Sequence, residues 1–173
     1  MNLTKLYESG AVRRFHTIAD YSGGMQQSVA EHAWGVALIL RELCERHGYA
    51  MTAGLLFSAL VHDAEEVYVG DMPAPTKWRF PELAKAMNAA EDEVRAELRL
   101  PFYAMTEEEK ALLKWADGLE LYTYAQRRAR DGATAYRRTA LNIRLYMLTN
   151  LPQYPAALSV LAELTMEGLV DET

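Results

Sequence analysis

The chain has 173 residues, half of them hydrophobic and about a quarter charged, with a formal net charge of −6. That size supports one core without covalent staples, and the lone Cys44 excludes an intramolecular disulfide or a cysteine-rich zinc site. The negative balance argues against a protein that grips duplex nucleic acid through many phosphates.

The opening Met1-Asn2-Leu3-Thr4-Lys5 lacks the basic-then-apolar pattern of a leader, and no apolar run approaches the roughly 20 residues of a membrane span. A cytoplasmic setting is therefore expected, the host cytoplasm if the gene is phage-encoded. The only strand-like stretch lies just before Ser28. Ser28-Val29-Ala30-Glu31 matches a capping box, so a helix should start there and run to His47-Gly48 with Val36, Leu40 and Leu43 inward. A second helix is expected from Thr52 to Val67, stopped by Gly70, Pro73 and Pro75. A third starts at Pro81 and keeps Leu83, Met87, Ala90 and Val94 at helical spacing before Pro101. Thr106-Glu107-Glu108-Glu109 is another capping box, opening a helix through Trp115, Leu119 and Tyr122 to about Arg130. Helices over 134–149 and 154–168 complete an all-α, compact, single-domain bundle of six or seven helices spanning 1–173.

Polar intruders mark the chemistry. His32 falls in the first turn of its helix, His62-Asp63 end the apolar run Leu55 to Val61, and Asp117 follows Leu112-Leu113-Lys114-Trp115-Ala116. A carboxylate in such surroundings is costly unless paired, hydrogen-bonded or bound to a metal. Two imidazoles and two carboxylates suit a borderline divalent ion such as Zn, Mn, Co or Fe. Taken singly, each has a plainer reading as a core histidine or a salt-bridged aspartate, and a His-Asp dipeptide alone is common. The order of the three motifs along the chain gives the set its weight.

Arg14-Phe15, Ser28-Val29-Ala30-Glu31-His32, His62-Asp63-Ala64-Glu65-Glu66-Val67, Gly70-Asp71-Met72-Pro73-Ala74-Pro75-Thr76-Lys77 and Lys114-Trp115-Ala116-Asp117 resemble the ordered motifs of bacterial 5′-deoxynucleotidases of the HD superfamily. The resemblance implies a divalent metal (Zn, Co or Mn, with additional Mg an option) held by His32, His62, Asp63 and Asp117, and attack of water on phosphorus. Glu66, four residues after His62, is expected on the same helix face, where it can orient or deprotonate that water, while Glu65 points away. Asp71 is either the proton donor to the leaving oxygen, a sugar contact or a turn residue. Arg14, Lys77 and Lys114 are the candidate phosphate cations. Phe15 is either a base platform or core, Thr17 and Ile18 are candidates for the base pocket, and His16 is unassigned. Glu31, beside His32, belongs to the capping box.

The segment 20–27 is longer than in the bacterial monophosphatases, and the whole chain is shorter. In both traits it is similar to phage relatives that include dATP triphosphohydrolases. The resemblance thus implies a small-molecule deoxynucleotide substrate, dATP before dADP or dAMP, in a homo-oligomer without nucleic-acid or membrane partners. The alternatives are a deoxynucleoside monophosphatase, an HD phosphodiesterase and a catalytically silent metal-bound domain. Glu66 beside the ligand set speaks against the silent one.

Overall fold

The computed structural model describes residues 1–101 and 103–170, so Phe102 and residues 171–173 of the expected domain lie outside the described residues. Among them the fold is helical, as expected, in the order α1 (Leu3–Ser9), α2 (Val29–His47), α3 (Ala53–Val61), α4 (Glu66–Val69), α5 (Ala74–Arg79), α6 (Pro81–Glu97), α7 (Glu107–Arg130), α8 (Tyr136–Asn150) and α9 (Pro155–Val170). The strand-like stretch before Ser28 contributes a single antiparallel bridge between Arg13 and Ser28.

Both capping boxes form. Ser28 Oγ accepts from the Glu31 N–H at 3.2 Å and Glu31 Oε2 accepts from the Ser28 N–H at 2.7 Å. Thr106 and Glu109 repeat the exchange at 3.1 and 2.7 Å. These caps satisfy donors that a helix start leaves orphaned, and they fix which residues face inward on α2 and α7.

The expected helix from Thr52 to Val67 is broken. α3 ends at Val61, and the backbone tightens over His62 to Glu65 into bonds from Ala64 N to Val61 O (3.1 Å) and from Glu66 N to Asp63 O (3.2 Å). Such three-residue closure is the tighter helical turn found at helix ends and functional sites. The His62 carbonyl is instead taken by Arg95 of α6. Glu66 therefore lies on α4, and a shared helix face with His62 is not how it reaches the site. The chain also forms α1 and α5, absent from the sequence expectation. Pro73 and Pro75 start α5, because proline is tolerated in a first helical turn, where its missing N–H breaks no bond.

Helices α2, α3, α7, α8 and α9 enclose the main core, centred on Leu40, Leu112, Trp115, Leu119, Tyr136 and Met147. Each such side chain contributes about 1.5–3 kcal/mol by leaving water. The Trp115 indole N–H is satisfied by the Pro152 carbonyl at 2.8 Å. A second, smaller cluster of Ala64, Val94 and Leu98 holds α4 and α6 together. The turn at His62 lies between the two. No described helix is long and apolar enough to cross a membrane.

Candidate metal centre

The four expected ligands come from three parts of the chain and converge. His32 on α2 is fully buried, and its Nε2 lies 3.2 Å from His62 Nε2, 3.6 Å from Asp63 Oδ2 and 3.3 Å from Asp117 Oδ1. His62 Nε2 is 3.3 Å from Asp63 Oδ2. Among the described residues, His32, His62 and Asp63 can offer one ligand atom each within a single 4.8 Å cluster.

The outer ring nitrogens are already committed. His32 Nδ1 donates to Glu120 Oε2 at 2.5 Å, and His62 Nδ1 donates to the Ala59 carbonyl at 2.8 Å. A metal ion would take the place of the proton that His32 Nε2 otherwise shares with Asp117, and with both imidazoles neutral the two Nε2 atoms would present lone pairs toward the same point as two carboxylates. That concentration of electron-rich atoms fits a divalent cation, and a carboxylate or carbonyl behind each histidine is the usual orienting arrangement at metal sites.

Sequence reading missed Glu120, which sits one turn after Asp117 on the same face of α7. Its other oxygen accepts from Gln27 Nε2 at 2.6 Å, so a buried side chain on the loop before α2 fixes the carboxylate behind His32. Space for Glu120 exists because α2 carries Gly35, where a Cβ would stand 2.7 Å from Glu120 Cγ.

Charge is distributed unevenly. Burial opposes a proton on His32, but hydrogen bonds to Asp117 and Glu120 prevail and raise its pKa to about 9. Burial holds His62 below its ordinary value. Burial also disfavours an ionised Asp117, yet Lys114 and His32 outweigh it and keep that carboxyl well below the usual range. Glu66 goes the other way, raised to about 8 by burial and by Asp63, with Arg14 opposing. Its Oε2 is buried without a hydrogen-bond partner among the described residues.

The surrounding candidates divide. Arg14 is buried, donates to Asp63 Oδ2 and lies 4.0 Å from Glu66 Oε1. Lys114 Nζ donates to Asp117 Oδ2 at 2.6 Å. Phe15 adopts φ 59°, a left-handed conformation that costs a side-chain-bearing residue about 1–3 kcal/mol and is typical of functional sites. Asp71 Oδ2 supports it by accepting the Phe15 N–H at 3.1 Å, with His16 Nδ1 3.9 Å away. The Phe15 ring stacks on Tyr124 at 5.0 Å and meets Tyr136 edge-on at 5.6 Å, so it is partly committed to the core. Ile18 also packs on the core, and Thr17 is exposed on the same turn. Lys77 is not brought to the cluster; it pairs with Glu91 of α6 at 3.2 Å. Glu65 turns away, as expected, to Arg95 at 2.7 Å.

The all-α bundle thus brings two imidazoles and two carboxylates to one point, with a buried carboxyl and an arginine beside them, a donor set that could hold a divalent ion. Residues 11–155 match the YfbR-like 5′-deoxynucleotidase family, and the chain belongs to it. It is 32% identical to 5′-deoxynucleotidase YfbR of Shigella boydii serotype 18, over 57% of this chain and 59% of that protein. It is equally 32% identical to YfbR of Escherichia coli K12, over 56% and 58%. The match thus spans under two thirds of these relatives' length. Among solved structures, the HD phosphohydrolase DatZ of cyanophage S-2L, bound to dA and one catalytic Zn2+ ion, superposes with a TM-score of 0.70 at 21% identity, covering 100% of this chain and 98% of that one. A conserved hypothetical protein from Pyrococcus furiosus gives 0.51 at 18% identity, over 82% and 97%.

Proposed function

We propose that this chain hydrolyses the 5′-phosphate ester of deoxynucleotides with a divalent metal, and that its substrate is dATP, released as deoxyadenosine and triphosphate. The observation that carries the reading is the convergence of His32 and His62 Nε2 with Asp63 and Asp117 beside Glu66. Those four residues would hold the ion, which when bound supplies Lewis acidity and lowers the pKa of water. Water adds to phosphorus, the bond from phosphorus to the 5′ oxygen breaks, and that oxygen leaves with a proton.

Glu66 accepts the proton of the attacking water; a carboxyl raised to about 8 is matched to proton transfer near neutral pH. Arg14 and Lys114, already beside ligand carboxylates, turn their remaining donors to phosphate oxygens. Asp71 sits next to the Arg14–Phe15 turn, where it either protonates the leaving oxygen or holds the sugar. Thr17 and Ile18 are our assignment for the base side, on the turn closed by the bond from Ile18 N to Phe15 O. Zinc is the first metal to try, because the DatZ structure contains it.

A second reading, hydrolysis of deoxynucleoside monophosphates, is favoured by Lys77. Its pairing with Glu91 leaves fewer cations for outer phosphates. Chromatography of products from dATP and dAMP, with Zn, Co, Mn or Mg added, decides between them. Triphosphate and deoxyadenosine from dATP support the first reading. Rapid phosphate release from several monophosphates with dATP left intact overturns it.

A further inference from the structure

Gln27 is only 6% exposed, yet it carries a primary amide whose Oε1 is buried without a hydrogen-bond partner among the described residues. Leaving an amide oxygen unpaired is a cost that an apolar residue of similar size would avoid. The other polar groups of the residue account for its place. Its Nε2 donates to Glu120 Oε1 at 2.6 Å, its backbone N–H donates to the Tyr124 hydroxyl at 3.0 Å, and its carbonyl accepts the Arg14 N–H at 2.9 Å. Glu120 in turn holds His32 Nδ1 through its second oxygen.

Those bonds join two regions that the chain keeps apart. Residues 12–14 run antiparallel to 27–29, tied by the Arg14 bond and by a bond from Val29 N to Val12 O at 2.9 Å. The excursion between them opens with Phe15, held at positive φ, followed by Thr17 and Ile18, and it is latched to α7 where Arg128 donates to Asp20 and Ser22. Tyr124 meets both ends of the excursion: its ring stacks on Phe15 at 5.0 Å and its hydroxyl accepts from Gln27. A ligand resting on the Phe15 turn is therefore connected to His32 through Arg14, Gln27 and Glu120, and by a second route through Tyr124 and Gln27.

We propose that Gln27 is a positioning residue that makes nucleoside and metal bind cooperatively. A deoxynucleoside that orders the Phe15 turn fixes Gln27, and with it the Glu120 carboxylate that aims His32 at the ion. Two ligands that need the same support each lower the ordering cost of the other, and linkage makes the gain equal in both directions. The ligand's class rests on the deoxynucleotide reading, and which phosphate ester is cut does not enter. Because the route runs behind His32, it needs no contact between phosphate and ion. A nucleoside without a 5′ oxygen therefore isolates it.

Zinc affinity of the full chain, measured by competition with a chelator, tests it, with circular dichroism as the fold control. The probes are the 2′,5′-dideoxy forms of adenosine, guanosine and cytidine, and 5′-deoxythymidine. In wild type at least one of them should tighten zinc by about tenfold, and zinc should tighten that nucleoside by the same factor. Gln27→Leu should bind zinc about tenfold more weakly without nucleoside, and the coupling factor should fall to about one. Tyr124→Phe keeps the ring and loses the hydroxyl, so it should weaken zinc by less and have no effect in a Glu120→Ala background. A residue that served the fold alone would lower the melting temperature and leave the coupling factor unchanged. Wild-type zinc affinity in Gln27→Leu, an undiminished coupling factor in that variant, or zinc affinity indifferent to all four nucleosides would overturn the proposal. Coupling to a nucleoside other than the adenosine form upholds it and instead overturns dATP as the substrate.

Discussion

The candidate metal centre is rooted in two unequal parts of the fold. His32 and Asp117 project from α2 and α7, which share a core of large side chains including Leu40, Trp115 and Leu119. His62, Asp63 and Glu66 stand on a turn whose other support is the small cluster of Ala64, Val94 and Leu98, with Arg95 holding the His62 carbonyl and Glu65. One side of the site is fixed by apolar packing of many residues. The other is fixed by a few hydrogen bonds. Two of the four candidate ligands, His32 and Asp117, thus belong to the dense side, while His62, Asp63 and Glu66, the proposed proton acceptor, sit on the side with less to hold them.

Substitutions can break or sharpen that contrast. The largest effect should come from Asp63→Ala, which removes a ligand and the Arg14 partner together, so metal content by elemental analysis and turnover should fall to background. A metal-loaded, fully active Asp63→Ala protein would remove the centre from the account. Next, Glu66→Gln should keep the ion and cut kcat by about a hundredfold or more, the usual worth of a positioned acid or base. The neighbouring Glu65→Gln loosens only the Arg95 contact and should lower the melting temperature without touching metal content. Had Glu66 been a ligand, its glutamine variant would lose the ion.

On the dense side, Glu120→Ala should weaken metal affinity by about 10–100-fold while leaving the fold intact, the typical cost of losing a carboxylate behind a ligating histidine. Competition with a chelator measures it. The smallest effect concerns the loop before α2. Asp20 is held at a pKa of about 2, against an ordinary 3.8, by its hydrogen bond from Arg128 and by Ser22. A depressed carboxyl stabilises the fold above its unfolded pKa and stops doing so as pH falls through the folded one. Melting temperatures of wild type and Asp20→Asn should therefore differ above about pH 4 and converge near pH 2. Parallel curves across that range would detach Asp20 from loop stability.

Much of this was legible in the chain. The capping boxes at Ser28 and Thr106 placed α2 and α7 correctly, because a cap is a local rule that packing does not override. The positions of His32, His62, Asp63 and Asp117 followed from polar residues in apolar runs. The break after Val61 did not, since it depends on Arg95, 33 residues on, taking a carbonyl that a continued helix would need. α5 was hidden by its own prolines, which carry the same signal for a start as for a stop. Glu120 was hidden by company: in a helix rich in glutamate and lysine it reads as solvated, and only its spacing from Asp117 set it apart. Lys77 fitted the motif, but its partner on α6 could not be known without the fold.

Gly35 has a bearing on inheritance. It touches no substrate, binds no ion and would pass in any survey as a spare position on a long helix, where alanine is normally an improvement. Here a single methyl group would collide with the carboxylate stem behind His32. A lineage that gained helix stability at that codon would displace Glu120 from His32, so drift at a residue without a side chain is constrained by the chemistry of a histidine three residues back.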